Sequence, residues 1–251
     1  MLIKHKLSEE TLGEFCFWNI ACHMTDGRQT VAFIEKLIEM HEGDSDFDCC
    51  RDNLACMCHA AAYRFPEGSA EHKDYLRKSE AVFLSRFANQ EVSGGYCDYA
   101  WLLLKQKRYD EAIVWLDQVI QSNNKDLCNL YDAGEIMTLD ETLQNEIAEH
   151  NQFSSSSISI AYYLKNECLV KKKETPDNTI TCLLRNFKCF AEKDNLPRTY
   201  ALLGYSYIAI QDWKSASDAL EHAIASNKNA EYTMAIKMKK YCDEKQKSSI
   251  S

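Results

Sequence analysis

Two amphipathic helices joined by a tight turn are predicted over residues 197–228. In the first helix, four residues recur at the i, i+3, i+4 and i+7 spacing of one helix face: Tyr200, Leu203, Gly204 and Tyr207. In the second helix, a similar stripe consists of Ala216, Leu220 and Ala223. Small residues at Gly204 and Ala216 leave room for the two helix axes to approach, which predicts a closely packed hairpin.

The same pattern can be followed back along the chain from the small residue of each first helix. These small residues are Ala21, Ala55, Ala100, Gly134, Cys168 and Gly204, at intervals of 34, 45, 34, 34 and 36 residues. Long helices are predicted from about 70 to 88 and from about 158 to 173. The unit around Gly134 is predicted to have its first helix near Leu130–Met137 and a weak second helix. A repeated spacing of this length is typical of stacked helical hairpins.

Composition supports a helical chain. Only 8 Gly and 3 Pro occur in 251 residues, so the residues that turns require are scarce. No stretch sustains the alternation of apolar and polar residues expected of a strand. The prediction from pattern and composition together is an all-α protein.

Within each hairpin, a large ring, a small residue and a second ring are followed by Ala, a large apolar residue and Ala. This order resembles the tetratricopeptide repeat (TPR) family, most clearly at 93–126 and 197–230. The resemblance implies a right-handed α-solenoid of about six helix-turn-helix repeats. We expect a single domain over 1–251, ended by a capping helix at about 231–247, because repeat units need covered ends.

The resemblance also implies a binding surface, because the first helix of each repeat lines a concave groove in that family. Carried over residue by residue, the partner-binding groove consists of Trp101, Tyr131, Tyr205, Arg198, Cys97, Trp18 and Lys165, with Gly94, Glu135, Phe15 and Leu169 beside them. Trp101, Tyr131 and Tyr205 are expected to act as exposed aromatic anchors. The alternative is that these rings pack between neighbouring hairpins. The basic clamp that family members use for acidic chaperone tails is absent at Cys97, Trp101 and Leu202.

Charge and cysteine usage limit the expected partners and cellular compartment. A formal charge of −9 disfavours nucleic acid as a partner, because its recognition depends on neutralising phosphates. The 12 cysteines lie largely within helical patterns, and residues 1–6 contain no apolar signal core. We therefore expect a reduced, cytoplasmic or nuclear protein. No apolar run approaches the roughly 18 residues of a membrane span.

Candidate sites for chemistry are few. The densest group of potential zinc ligands is Cys49, Cys50, Cys56, Cys58 and His59, but donors along a helix do not converge, and packing is the preferred interpretation. Asp44, Asp46 and Asp48 lack the glycine and glutamate that a calcium loop requires. No phosphate loop or nucleophile elbow is present. The sequence predicts no enzyme, no metal and no cofactor.

The leading hypothesis is a non-enzymatic scaffold or adaptor that binds a peptide or helix of a partner protein in the concave groove. A second hypothesis is a structural subunit of a larger complex. A third is an RNA-binding helical-repeat protein, for which the candidate basic residues are Lys165, Lys172, Lys173 and Arg198.

Overall fold

The computed structural model describes residues 55, 58–59, 61–63, 65–87, 93–122, 127–131, 152–172, 174–226 and 233–250, together with Ala32 and Lys36. The chain divides into two compact units, one formed by 1–91 and 131–140, the other by 92–130 and 141–251. The predicted helix around Ala21 and residues 132–137 of the predicted helix around Gly134 lie outside the described residues.

The first unit contains a helical hairpin at 55–87. Its second helix, α1, runs from Ala70 to Phe87, as predicted, and helical residues between 55 and 62 precede it. Two buried hydrogen bonds join the helices: Ser79 Oγ donates to the carbonyl of Ala55 at 2.7 Å, and His72 Nδ1 lies 2.9 Å from that of Ala62. Gly68, between the two helices, has a φ of 83° that favours glycine.

The second unit has seven described helices and two short strands, apart from Tyr131, the last residue of the first strand, which belongs to the first unit. In chain order they are α2 (Ser93–Lys105), α3 (Tyr109–Ser122), β1 (Leu127–Tyr131), β2 (Gln152–Ser156), α4 (Ser157–Lys171), α5 (Asp177–Asp194), α6 (Pro197–Ala209), α7 (Trp213–Ser226) and α8 (Thr233–Ile250). The described part of the chain is mostly helical, which confirms the coarse prediction of a helical protein.

The helices of the second unit pack as three successive hairpins, α2–α3, α4–α5 and α6–α7. We call α2, α4 and α6 the A helices and α3, α5 and α7 the B helices. Each A helix after the first packs against the A helix and the B helix of the preceding hairpin, and α8 packs against α7. A count of six repeats, a single solenoid domain and a capping role for α8 stay predictions.

The turns of the first and third hairpins share one geometry. Lys107 and Gln211 each have a φ of 62°, in the left-handed region. The residue after each, Arg108 or Asp212, donates its backbone N–H to a carbonyl of the A helix and accepts from an alanine in the B helix. The second hairpin lacks this turn and instead uses Thr175 and Pro176. Pro176 is the N-cap residue of α5.

The close approach predicted at Gly204 is confirmed. A Cβ atom at Gly204 would lie 2.7 Å and 2.8 Å from two side-chain carbons of Leu220, and 3.4 Å from the carbonyl oxygen of Ala216. Real side chains do not tolerate the first two distances, so the contact between α6 and α7 depends on glycine.

The segment between the first and second hairpins differs from the prediction. The sequence predicts a helix that includes Leu130 and Tyr131, whereas Leu127–Tyr131 is a strand that pairs with Gln152–Ser156. Serine is a poor helix former because its hydroxyl competes for nearby backbone groups. The run of serines up to Ser156 is therefore compatible with a strand, and Ser156 then caps α4 by accepting from the N–H of Ser159 at 3.2 Å.

Candidate partner-binding surface

Most of the predicted groove residues that the structure describes lie on the three A helices. Cys97 and Trp101 are on α2, Lys165 is on α4, and Arg198 and Tyr205 are on α6. Tyr131 ends β1 instead of lying on an A helix, and its side chain is outside the described part. Trp18, Phe15 and Glu135 also lie outside the described residues. Leu169 is buried on α4.

The predicted aromatic anchors on these helices are buried. Trp101 and Tyr205 are each 4% exposed, and Cys97 is 1% exposed. The thiol of Cys97 donates to the carbonyl of Ser157 at 3.4 Å, which joins α2 to the start of α4. The expected exposure of these rings is therefore corrected, because both side chains are buried in the folded chain. A role in binding a partner stays a prediction.

Lys165 and Arg198 are the groove residues that retain partial exposure. The ammonium group of Lys165 forms an ion pair with Asp117 of α3, and this bridges the first and second hairpins. Arg198 lies in the first turn of α6. Among the described groove residues, the partly exposed side chains are therefore the two cations Lys165 and Arg198.

Buried polar side chains also join the A helices, a feature that apolar periodicity alone does not indicate. The hydroxyls of Ser159 on α4 and Thr199 on α6 lie 3.0 Å apart, and the Thr199 hydroxyl donates to Asp194 at 2.6 Å. Farther along, the side-chain amide of Asn166 donates to the carbonyl of Ser206 at 3.2 Å. Such bonds fix the register of the two helices, because an unpaired buried polar group is costly.

Strand β2 packs against both α4 and α6. Its last two residues, Ser155 and Ser156, are buried, as are Ser157 and Ser159 at the start of α4. Strand β2 therefore covers part of the surface formed by α4 and α6.

The thiols divide between the two kinds of helix. Cys168 on α4 is buried, and burial raises the pKa of its thiol to about 12. Cys182 and Cys189 on α5 are exposed. In the part of the chain that the structure describes, no group of three or more His, Cys, Asp or Glu residues could hold a metal ion. Of the predicted zinc candidates, Cys58 and His59 are described, and both are buried.

Residues 94–126 match the family model described as tetratricopeptide repeat. The matched segment covers nearly all of α2 and the whole of α3, so the resemblance inferred from the sequence is confirmed for this hairpin. Repeats of this family generally serve in protein–protein interaction.

Over 202 aligned residues the chain is 24% identical to the pre-glycoprotein polyprotein GP complex of Machupo virus, and the alignment covers 74% of this chain. The chain spans 40% of the length of that protein. No solved structure matches the chain. Among the described helices, none is long and apolar enough to cross a membrane.

Proposed function

We propose that this chain, which carries a tetratricopeptide repeat at residues 94–126, is a non-enzymatic scaffold or adaptor that binds a peptide segment or helix of a partner protein. The observation that carries this proposal is the packing of three successive hairpins, A helix on A helix, around the repeat that matches the family. A row of rigid helices provides an extended surface along which one partner segment can contact several repeats.

The proposed binding surface follows the A helices. Trp101 and Tyr205, which are buried, shape its walls, and the partly exposed Lys165 and Arg198 make the polar contacts with the partner. A partner segment that presents carbonyl groups suits this edge, because the charge of Lys165 is already balanced by Asp117 and the guanidinium of Arg198 carries several N–H donors.

The test is affinity purification of the full chain from cell extract, with mass spectrometry of the retained proteins. The double variant Lys165→Met, Arg198→Ala should lose a defined set of proteins that the unaltered chain retains. The matched control is Lys214→Ala, because Lys214 is an exposed cation on the B helix α7. Retention of the same proteins by all three chains would exclude the A-helix surface.

The structural-subunit hypothesis makes a different prediction for the isolated protein. Permanent subunits bury part of their surface against neighbours, so the chain would aggregate or oligomerise when expressed alone. Light scattering coupled to size exclusion distinguishes this from a monodisperse scaffold.

Two ion pairs argue against the RNA hypothesis. Among its candidate residues, Lys165 is paired with Asp117, and Lys172 is paired with Asp110. A lysine already neutralised by a carboxylate releases fewer counterions on binding phosphate. We expect no salt-dependent binding of single-stranded RNA, measured by fluorescence anisotropy at low ionic strength.

A further inference from the structure

A pocket of about 500 Å³ opens between the B helices α5 and α7, above the A helix α6. One face of α6 contributes Tyr200, Leu203 and Tyr207, which follow the i, i+3, i+7 spacing. The volume lies within the range of roughly 300–1,000 Å³ typical of ligand sites. We call it the α5–α7 pocket.

Aromatic rings line this pocket. The rings of Tyr200 and His222 stack with centroids 5.0 Å apart and planes inclined by 15°. Tyr200 is buried, Tyr207 is half-buried, and His222 is exposed at the opening. The pocket therefore offers ring surfaces to whatever enters it, and such surfaces attract cations and flat delocalised groups.

The charged residues of the pocket are mainly acidic. Three carboxylates, those of Glu192, Asp218 and Glu221, face a single lysine, Lys188. Glu192 and Asp218 make no ion pair with any residue in the described part of the chain, and the carboxylate of Glu221 lies 3.9 Å from the Lys239 ammonium. An excess of negative charge beside aromatic rings favours a cationic ligand.

Glu192 also acts on the tyrosines. Burial is the main cause that raises the pKa of both Tyr200 and Tyr207; the negative charge of Glu192 adds to it for Tyr200, and those of Asp212 and then Glu192 add to it for Tyr207. Glu192 therefore lies close enough to both tyrosines to influence their ionisation. A positive charge placed there would be close to both the rings and the carboxylate.

We propose that the α5–α7 pocket binds an arginine side chain of a partner protein. Arginine fits better than lysine because its planar guanidinium can stack on a ring while donating two parallel hydrogen bonds to a carboxylate. Glu192 and Asp218, on facing helices, are the carboxylates that receive it. The methylene groups of the arginine lie against Leu203 and the tyrosine rings.

This pocket is separate from the proposed A-helix surface. Tyr200 and Tyr207 share one face of α6, whereas Arg198 and Tyr205 fall on the roughly opposite face, given about 100° per residue. The two sites can therefore succeed or fail independently, and variants in one leave the other unchanged.

The test uses the full chain with labelled tyrosine and histidine rings, titrated by NMR with three capped tripeptides. Each has glycine on both sides of a central arginine, lysine or citrulline, and citrulline keeps the shape of arginine without its charge. We expect saturable shifts of the Tyr200, Tyr207 and His222 signals with the arginine peptide. Affinity should fall about 10-fold or more with citrulline, and less with lysine.

Variants then locate the site. Glu192→Gln and Asp218→Asn should each weaken binding of the arginine peptide by about 10-fold, because each removes one charged acceptor. Glu174→Gln is the matched control, since Glu174 is an exposed carboxylate outside the pocket. The proposal is overturned if no signal saturates, if citrulline or lysine binds as tightly as arginine, or if the control weakens binding as much as Glu192→Gln.

Discussion

The A helices and the B helices of the second unit bury their residues in different ways. On α6 every residue from Thr199 to Ser206 is buried, and on α2 so is every residue from Tyr99 to Leu104. Consecutive residues point to all sides of a helix, so these helices are enclosed by their neighbours. On the B helix α3, by contrast, the buried residues are Ala112, Leu116 and Val119, a single stripe.

Because of this difference, the A helices and the B helices contribute differently to stability and to contacts with solvent. The A helices hold the hairpins together, so most of their side chains are constrained by packing. The B helices present polar faces and the opening of the α5–α7 pocket to solvent. Exposed positions on the B helices can therefore change with little effect on the fold, whereas changes at the buried positions of the A helices should destabilise the unit.

Trp101→Ala should produce the largest effect. Trp101 is enclosed on α2, so its removal leaves a cavity and should lower the free energy of unfolding by about 3–5 kcal/mol. Chemical denaturation followed by circular dichroism measures this.

The matched control is Val114→Ala on the neighbouring B helix. Val114 is 57% exposed, and we expect a change within about 0.5 kcal/mol. Equal losses from both variants would contradict the distinction between the helices. A stable Trp101→Ala variant that loses a partner would instead restore Trp101 as an exposed anchor.

Gly204→Ala should produce a smaller loss. Its Cβ would overlap Leu220, and overpacking should cost about 1–3 kcal/mol, partly offset by the roughly 1 kcal/mol that alanine gains in helix propensity. In a Leu220→Ala background the overlap is gone, so Gly204→Ala should become neutral or stabilising. Denaturation of the four chains of this double-mutant cycle measures the coupling. Zero coupling would show that α6 and α7 do not approach as described.

A pH effect should come from Cys168. Burial raises the pKa of its thiol from the ordinary value of 9.0 to about 12, so the folded state keeps the proton to higher pH than the unfolded state does. The stability contributed by this protonated thiol is complete below pH 9 and is lost as pH rises toward 12. One proton changes the slope by at most about 1.4 kcal/mol per pH unit.

Denaturation between pH 9 and 11 checks this effect. The slope should be shallower for Cys168→Ala than for the unaltered chain, with Cys182→Ala as the control because Cys182 is exposed. Identical slopes in all three chains would show that Cys168 is not enclosed.

The B helices could be predicted from the sequence because a half-exposed helix repeats its apolar residues with the helical period. The stripe of Ala216, Leu220 and Ala223 is buried as predicted, and Leu183 and Phe187 on α5 are buried too. Gly204 was equally informative, since only a close approach of helices requires its lack of a side chain.

The A-helix surface was harder to predict, because an enclosed helix has no polar face to mark its orientation. Trp101 and Tyr205 occupy positions that the family exposes, and only the packing of neighbouring hairpins shows that they are buried. The buried hydrogen bonds of Thr199 and Asn166 could not be predicted either. In a sequence, serine, threonine and asparagine are expected on the surface unless their buried partners are known. The strand at Leu127–Tyr131 depends on pairing with a segment distant in sequence, which local periodicity does not record.

Thiol alkylation of the native protein tests the distinction between enclosed A helices and half-exposed B helices most directly. N-ethylmaleimide at neutral pH, followed by peptide mass spectrometry, gives a rate for each cysteine. Cys182 and Cys189 on the B helix α5 should react rapidly, whereas Cys97 and Cys168 on the A helices should react only as fast as the protein unfolds. Rapid reaction of Cys97 and Cys168 in the folded protein would contradict the account.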